Sequence, residues 1–443
     1  MLKTFSKGGV HPPEAKLSAS VAISVLPIPP EVYIPISQHI GAPSEAVVAV
    51  GDKVLVGDLL AKSTGFVSAN IHSSVSGTVV AIESRVDASG YPRQVMKISV
   101  EGDEWHPTID RSSSFILPKG LTSSEVVDAI QNAGIVGLGG ATFPSHVKLI
   151  VPSGKTAEVL IINGVECEPF LTADHRLMLE KGREILAGVQ LLMTALGVSR
   201  ACVGIENNKQ DAISLFRSLV AEYVGVEVVA LKVKYPQGGE KQLIKAVINR
   251  EVPSGGLPID VGAVVHNVGT AYAVYEAIAK RKPLFERVVT VSGNSVREPK
   301  NFLVRIGTPV SALIDAVGGL PEDTGKVVSG GPMMGKALSN LSAPVTKGTS
   351  GILIIPQDKA TRPAANVCIR CSKCVGTCPM GIEPYLLIKL VKKNLVERLE
   401  QEHVMDCMEC GSCSYGCPAN LPLLDYIKLG KADVGKMIRA RKK

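Results

Sequence analysis

Aromatic side chains are scarce in this sequence: Phe, Tyr and Trp make up 4 % of its 443 residues, and there is one Trp. It also lacks any stripe in which basic and aromatic residues interleave, so a nucleic-acid partner is not expected. Long apolar runs are missing as well. No stretch of about eighteen uncharged apolar residues occurs, so no membrane-spanning helix is expected. The opening stretch, "MLKTFSKGGVHPPEAK", has no apolar core of the kind a secretory signal needs. The expected compartment is therefore the cytoplasm, where regularly spaced cysteines signify metal binding rather than disulfides.

What is present is an ordinary globular composition, 45 % hydrophobic and 20 % charged, with 43 Gly and 28 Pro. It is turn-dense, and long enough for several cores. The formal charge of +7 is conspicuous at the C-terminal end, where Lys428, Lys431, Lys436, Arg439, Arg441, Lys442 and Lys443 face only Asp433 in the sequence. That end reads either as a solvated tail or as a contact for an acidic protein or an anionic membrane surface.

The pattern changes along the chain. Residues 1–112 alternate short apolar runs with Gly, Pro and Asp turns, as in "VGDKVLVGDLLA" and "SSVSGTVVAIE". This segment resembles the barrel-sandwich hybrid fold of lipoyl and biotinyl domains. Lys97 lies inside a β-run rather than at a hairpin tip, so it is not expected to carry a prosthetic group. His72 has no second metal-type residue nearby and is expected to be structural. Residues 113–282 alternate helix and strand, which predicts a Rossmann-like, mostly parallel sheet covered on both faces. Within it, "ADHRLMLEKGREILAGVQLLMTALG" predicts one long helix closed by Gly197. Residues 283–345 predict a small α+β unit, 346–364 a linker, 365–430 a helical cysteine module and 431–443 the basic tail.

Eight of the ten cysteines fall into two matched runs, "CIRCSKCVGTCP" and "CMECGSCSYGCP". The spacing C-x2-C-x2-C-x3-C-P suits two 4Fe–4S clusters, three thiolates of each coming from one run and the fourth from the other. One cluster then takes Cys368, Cys371, Cys374 and Cys417. The other takes Cys407, Cys410, Cys413 and Cys378. Four thiolates also form a zinc set, but zinc ribbons pair two C-x2-C knuckles rather than two proline-ended quartets. Between the runs, helical periodicity predicts two helices joined near Lys393 and Asn394. Of the remaining cysteines, Cys202 reads as core and Cys167 as a loop residue near a site without being a ligand.

A candidate crevice is legible in the central segment. The run "GIVGLGGATFPSHVKL" offers Gly137, Gly139 and Gly140, whose amides can close on a phosphate or a flat ring. Asn163, Glu166 and Glu168 follow a buried strand, where ligands of parallel sheets bind.

Four segments in order, "GLGGATFP", "NGVECEP", "YPQGGEKQL" and "HNVGT", resemble the flavin- and NADH-binding segments of the complex I flavoprotein subunit. The resemblance implies that Gly137, Gly139, Gly140, Phe143 and Lys148, then Asn163, Glu166 and Glu168, then Tyr235, Gly238 and Glu240, then Asn267 and Thr270 bind FMN and NAD(H). Leu138, Val165, Gly239, His266 and Gly269 depart from that pattern, so the flavin pocket is carried over more fully than the nicotinamide contacts. The unit at 283–345 resembles the small β-grasp (SLBB-like) domain of those proteins.

The front domain, the alpha-helical ferredoxin module, and "HPPEAK", "IPISQHIGAP" and "GGPMMG" look like the C subunit of the Rnf electron-transport complex. Membership of that family implies electron transfer between NAD(H), FMN and two 4Fe–4S clusters, toward ferredoxin-linked subunits. It implies a peripheral place on the cytoplasmic face of a membrane complex that moves sodium ions or protons. It implies no general acid or base, so no catalytic side chain. The rival readings are a soluble complex I-like NADH dehydrogenase or hydrogenase flavoprotein, which would carry a single such cysteine motif, and a non-redox carrier built on the front domain.

Overall fold

The computed structural model describes residues 2–441. The front domain pairs a four-stranded antiparallel sheet, ordered Glu31–Pro35, Pro92–Val100, Gly77–Val86 and Lys53–Val54, with a three-stranded one. Val32, Ile34, Leu60, Ile71, Val79, Met96 and Ile98 fill its core. Their alternation along each strand follows the two-residue period of a sheet with one face buried. Lys97 points the other way and pairs with Glu31 at 2.8 Å.

Residues 2–26 do not join these two sheets. Val10 bridges to Tyr235, Lys3 to Leu231, and Ser24–Val25 adds a parallel strand beside Phe302 and Leu303. The strands of these two sheets begin at Glu31. The segment before them pairs instead with distant edges of the central and following sheets.

The central domain has four parallel strands in the order Val226–Leu231, Ala201–Glu206, Val159–Gly164, Ala263–Asn267. The last three are buried along nearly their whole length, because helices cover both faces, while the edge strand Val226–Leu231 is partly open. Ser123–Asn132, Gly182–Leu196 and Val268–Ala279 pack on one face and Glu240–Ile248 on the other. At Gly188 the first face is so tight that a Cβ would lie 1.9 Å from the Ala271 carbonyl oxygen. The expected single helix is two, Ala173–Glu180 and Gly182–Leu196, broken at Lys181, where φ is −131°. Gly197 closes the second in a left-handed conformation.

The next unit holds a sheet ordered Ser24–Val25, Lys300–Arg305, Glu286–Ser292, Gly351–Pro356, Thr324–Ser329, Lys336–Ala337. Gly351–Pro356 lies in the segment expected to be a linker, yet it is an interior strand. Its sequence "GILIIP" is a buried apolar run that needs partners on both edges.

In the last module, helices Pro384–Lys392 and Val396–Gln401 are joined through Lys393–Leu395, with Asn394 at φ 53°. Both pack on one helix, Leu423–Arg441. The expected tail from 431 is part of that helix, because Ile427, Gly430 and Val434 recur on a single buried face. Lys442 and Lys443 lie outside the described residues.

Candidate functional site: a crevice and two cysteine quartets

The crevice forms where the parallel strands end. Beyond Ala263–Asn267, Asn267 accepts a hydrogen bond from the Gly269 amide at 2.8 Å, capping the helix Val268–Ala279. Its amide group donates to Asp174 Oδ2 at 2.7 Å. The glycine-rich loop lies against this cap. The Leu138 amide donates to Thr270 Oγ1 at 3.0 Å. A Cβ at Gly139 would meet Asn267 Nδ2 at 2.7 Å, so only glycine fits there. At Gly140 nothing lies within 4 Å of the Cβ position, leaving room beside the loop. The Gly137 amide donates to the Phe143 carbonyl at 2.9 Å, and Phe143 is half-buried.

The other segments close round it. Lys148 Nζ donates to Glu240 Oε1 at 2.7 Å and to the Val265 carbonyl at 3.2 Å. Asn163 donates to the Gly238 carbonyl at 2.9 Å and accepts from the Val165 amide at 3.1 Å. The four segments named from the sequence thus meet at one place. Glu166 is the exception in its chemistry. Its two carboxylate oxygens accept from the Asp174 and His175 amides at 2.8 and 3.1 Å, capping the helix Ala173–Glu180.

Glu168 accepts from the Met333 amide at 3.1 Å. Burial pushes its carboxyl up from 4.5 to about 7. Tyr235 donates its hydroxyl hydrogen to the Cys410 carbonyl at 2.8 Å, and burial raises its pKa. His266 is fully buried, with Nε2 unpartnered; burial and then Lys148 lower its pKa to about 3, so the ring stays neutral.

Sequence reading did not find the roles of Lys16, Asp174 or the 330–335 loop. Burial, and then the charge of Glu166, pushes the Asp174 carboxyl above its ordinary range. Gly331 sits so close to Glu168 that a Cβ would be 2.2 Å from its Oε2. The motifs "HPPEAK" and "GGPMMG" carried the signal for two of the three, since both lie against the crevice.

The cysteines separate into crossed sets. A cavity of about 180 Å³ is lined by Cys368, Cys371, Cys374 and Cys417, together with Tyr385, Lys389 and Leu423. Cys378 lies instead within electrostatic reach of Cys407, Cys410 and Cys413. Burial, then the neighbouring thiols, pushes Cys413 up to about 12. Among the described residues no three Cys, His, Asp or Glu side chains converge on a single-ion position. The 368 set is the outer one: Cys371 is exposed, and Val367 and Ile369 are 87 % and 67 % exposed. The 407 loop is the inner one: Met408 and Cys410 pack with Tyr235, Cys167 and Val10. The Cys167 sulfur accepts from the Gly238 amide at 3.4 Å, and burial pushes its thiol up to about 12. Cys202 is a core residue.

A glycine-lined crevice at the carboxyl edge of a parallel sheet, abutting the inner of two crossed thiol sets, defines a flavin and iron–sulfur electron-transfer protein. The open space beside Gly140 and the cysteine-lined cavity fit those two groups. Family models agree. The RnfC barrel sandwich hybrid domain matches residues 4–104, the Nuo51 FMN-binding domain 130–276, the SLBB domain 288–337 and the 4Fe-4S dicluster domain 362–418.

The chain belongs to the RnfC family, the C subunits of ion-translocating ferredoxin:NAD(+) oxidoreductase complexes. It is 48 % identical to the C subunit of the proton-translocating complex of Clostridium ljungdahlii, over 98 % of this chain and 94 % of that protein. It is 45 % identical to the C subunit of the Na(+)-translocating complex of Acetobacterium woodii, over 97 % and 96 %. It is 42 % identical to the C subunit of the ion-translocating oxidoreductase complex of Rhodobacter capsulatus, over 98 % and 84 %. A chain of an NAD+-reducing [NiFe]-hydrogenase shares the fold at TM-score 0.50 and 19 % identity, covering 70 % of this chain and 63 % of that one.

Proposed function

We propose that this chain is the NAD(H)-handling electron-input subunit of such a complex, exchanging electrons between NAD(H), FMN and two 4Fe–4S clusters toward ferredoxin-linked subunits. The observation that carries the reading is the seating of the Cys407–Cys413 loop on Tyr235, at the edge of the crevice. Flavin, when bound, supplies the chemistry that the clusters lack: it takes two electrons from a nicotinamide as hydride and gives them up singly.

The protein's own residues do the placing. Gly137, Gly139 and Gly140 let the loop backbone approach a ring or phosphate. Lys148 and Glu240 offer one charge of each sign beside it. Phe143, Asn163, Glu166, Glu168, Tyr235, Gly238, Asn267 and Thr270 complete the proposed FMN and NAD(H) site, with Glu166 acting through the helix it caps. Cys407, Cys410, Cys413 and Cys378 hold the inner cluster, and Cys368, Cys371, Cys374 and Cys417 the outer one. The exposed outer set is the exit toward the next carrier.

No described helix is long and apolar enough to cross a membrane. The proposed location is peripheral, on the cytoplasmic face, held by other subunits of the complex. Anaerobic iron, sulfide and flavin analysis tests the assignment. We expect about eight irons per chain and a spectrum that bleaches with NADH. A colourless protein holding zinc and no iron would refute it.

A further inference from the structure

The segment His11–Lys16 and the glycines before it are not among the proposed cofactor residues, yet they reach the 166–171 loop, Tyr235 and the backbone at Thr377 and Cys378. Lys16 Nζ donates to three carbonyls at once, those of Glu166, Glu168 and Leu171, at 2.8, 2.9 and 2.7 Å. Three short bonds from one ammonium group are an unusual concentration of charge-assisted donors on one loop. That loop needs them. Glu166 and Phe170 both have positive φ, 47° and 68°, a conformation disfavoured for side-chain-bearing residues. The Phe170 amide adds a bond to the Glu14 carbonyl at 2.9 Å.

Farther back, Val10 and Tyr235 exchange both backbone hydrogen bonds, at 2.8 and 2.9 Å. The Gly9 amide donates to the Thr377 carbonyl at 2.9 Å, next to Cys378. Gly8, at φ 62°, lies so close to the cysteine run that a Cβ would stand 2.4 Å from the Cys378 carbonyl carbon. Between Gly8 and Lys16 the chain is therefore tied in turn to the inner quartet, to Tyr235 and to the crevice loop.

We infer that residues 8–16 are a positioning clamp, which fixes the crevice loop Glu166–Leu171 against the Cys378 end of the inner quartet and so sets the gap that electrons cross. This rests on the proposed function. Lys16 and Gly8 are positioning residues, since neither is part of the proposed cofactor contacts. The transfer at stake moves one electron at a time: the flavin loses one and the inner cluster gains one. Electron transfer rates fall steeply with the gap, so a small displacement is felt there first.

The test uses the full chain loaded with FMN, iron and sulfide, and the variants Lys16→Met and Gly8→Ala. Rapid mixing with NADH separates loss of flavin colour from loss of cluster colour. For Lys16→Met we expect full iron and flavin content, flavin reduction near the unaltered rate, and cluster reduction roughly tenfold slower or worse, as for other small misplacements. For Gly8→Ala, whose Cβ meets the Cys378 backbone, we expect full flavin content, flavin reduction near the unaltered rate and the same slowing of cluster reduction counted per loaded inner cluster. Hydrogen exchange gives a readout independent of turnover: in Lys16→Met, amides of residues 166–171 should exchange faster, while those of the strand Ala201–Glu206 are unchanged.

Cluster reduction at the unaltered rate in Gly8→Ala would overturn the inference, whatever Lys16→Met does. So would slowing confined to the NADH step. A wild-type chain whose flavin NADH does not bleach would instead defeat the function on which the inference rests.

Discussion

The Tyr235 hydroxyl stands 2.8 Å from the carbonyl oxygen of Cys410. One side chain from the nucleotide-type domain thus holds the loop that carries three inner-quartet cysteines. Removing that bond from a buried interface leaves a carbonyl without its donor, at a cost of about 1–3 kcal/mol. Tyr235→Phe is expected to lower the thermal midpoint modestly and to slow cluster reduction by NADH, with iron content unchanged. Identical cluster-reduction traces in the two proteins would show that this contact has no part in the transfer.

Cys378 sits with Cys407, Cys410 and Cys413, although it is nearer in sequence to Cys374. Cys378→Ala should therefore lose the inner cluster and keep the outer one, dropping iron from about eight to about four per chain. Paramagnetic spectra of the reduced variant distinguish the outcomes, because loss of the Cys368–Cys374 cluster would contradict the crossed arrangement.

Lys148 and Glu240 pair at 2.7 Å, with 31 % and 39 % of their side chains exposed. A pair this open contributes about 0.2–1 kcal/mol to stability. Lys148→Ala and Glu240→Ala should therefore fold normally and retain iron, yet oxidise NADH more slowly with an artificial acceptor. The double variant should lose less than the product of the two single losses, since the two side chains act as a pair. Unchanged NADH oxidation in both single variants would move the site elsewhere.

Burial raises the Glu168 carboxyl from 4.5 to about 7. The folded protein therefore holds this proton when the unfolded chain has lost it. The group's contribution is fully present below about pH 4.5 and is lost as pH rises through about 7. Glu168→Gln, which keeps an acceptor for the Met333 amide, should flatten the fall in stability across that window. Denaturant melts at several pH values check this, and parallel curves for the two proteins would rule out Glu168 as the source.

Through Arg441 the basic segment is part of a helix. Lys431 donates to the Cys407 carbonyl and to Glu409, at 2.7 and 2.8 Å. Lys428 pairs with Glu409, Lys436 with Asp433 and Arg441 with Glu400. Deleting residues 428–443 would strip Val434 from the module core, where burial of such a side chain is worth about 1.5–3 kcal/mol, so charge reversal is the cleaner test. Lys436→Glu with Arg439→Glu should loosen retention on membranes at low salt and leave iron content intact. Each basic contact with an anionic surface is worth roughly 1 kcal/mol and is screened within about 8 Å at physiological salt. Equal retention of variant and parent in a salt series would exclude the helix as the contact.

The sequence by itself determined what depends on local spacing. Short apolar runs between Gly, Pro and Asp turns marked the front sheets, βα alternation the parallel sheet, and x2-x2-x3 spacing with proline the two quartets. Strand-end reasoning singled out Asn163, Glu166 and Glu168 beside the glycine-rich loop; the other two segments at the crevice were named by resemblance to the complex I flavoprotein subunit. Tertiary structure decided what depends on partners distant in the chain. Lys181 could be seen as the break between two helices only once Gly182–Leu196 had packed beside Ala271. "GILIIP" became a central strand because Glu286–Ser292 and Thr324–Ser329 offered it two edges. Lys431 left the tail because Glu409 and the Cys407 carbonyl came within reach. Nothing local marked Lys16, whose three carbonyl partners lie at least 150 positions away in the sequence. Periodicity reports which face of an element is apolar, but an ammonium's partners are fixed by folding alone.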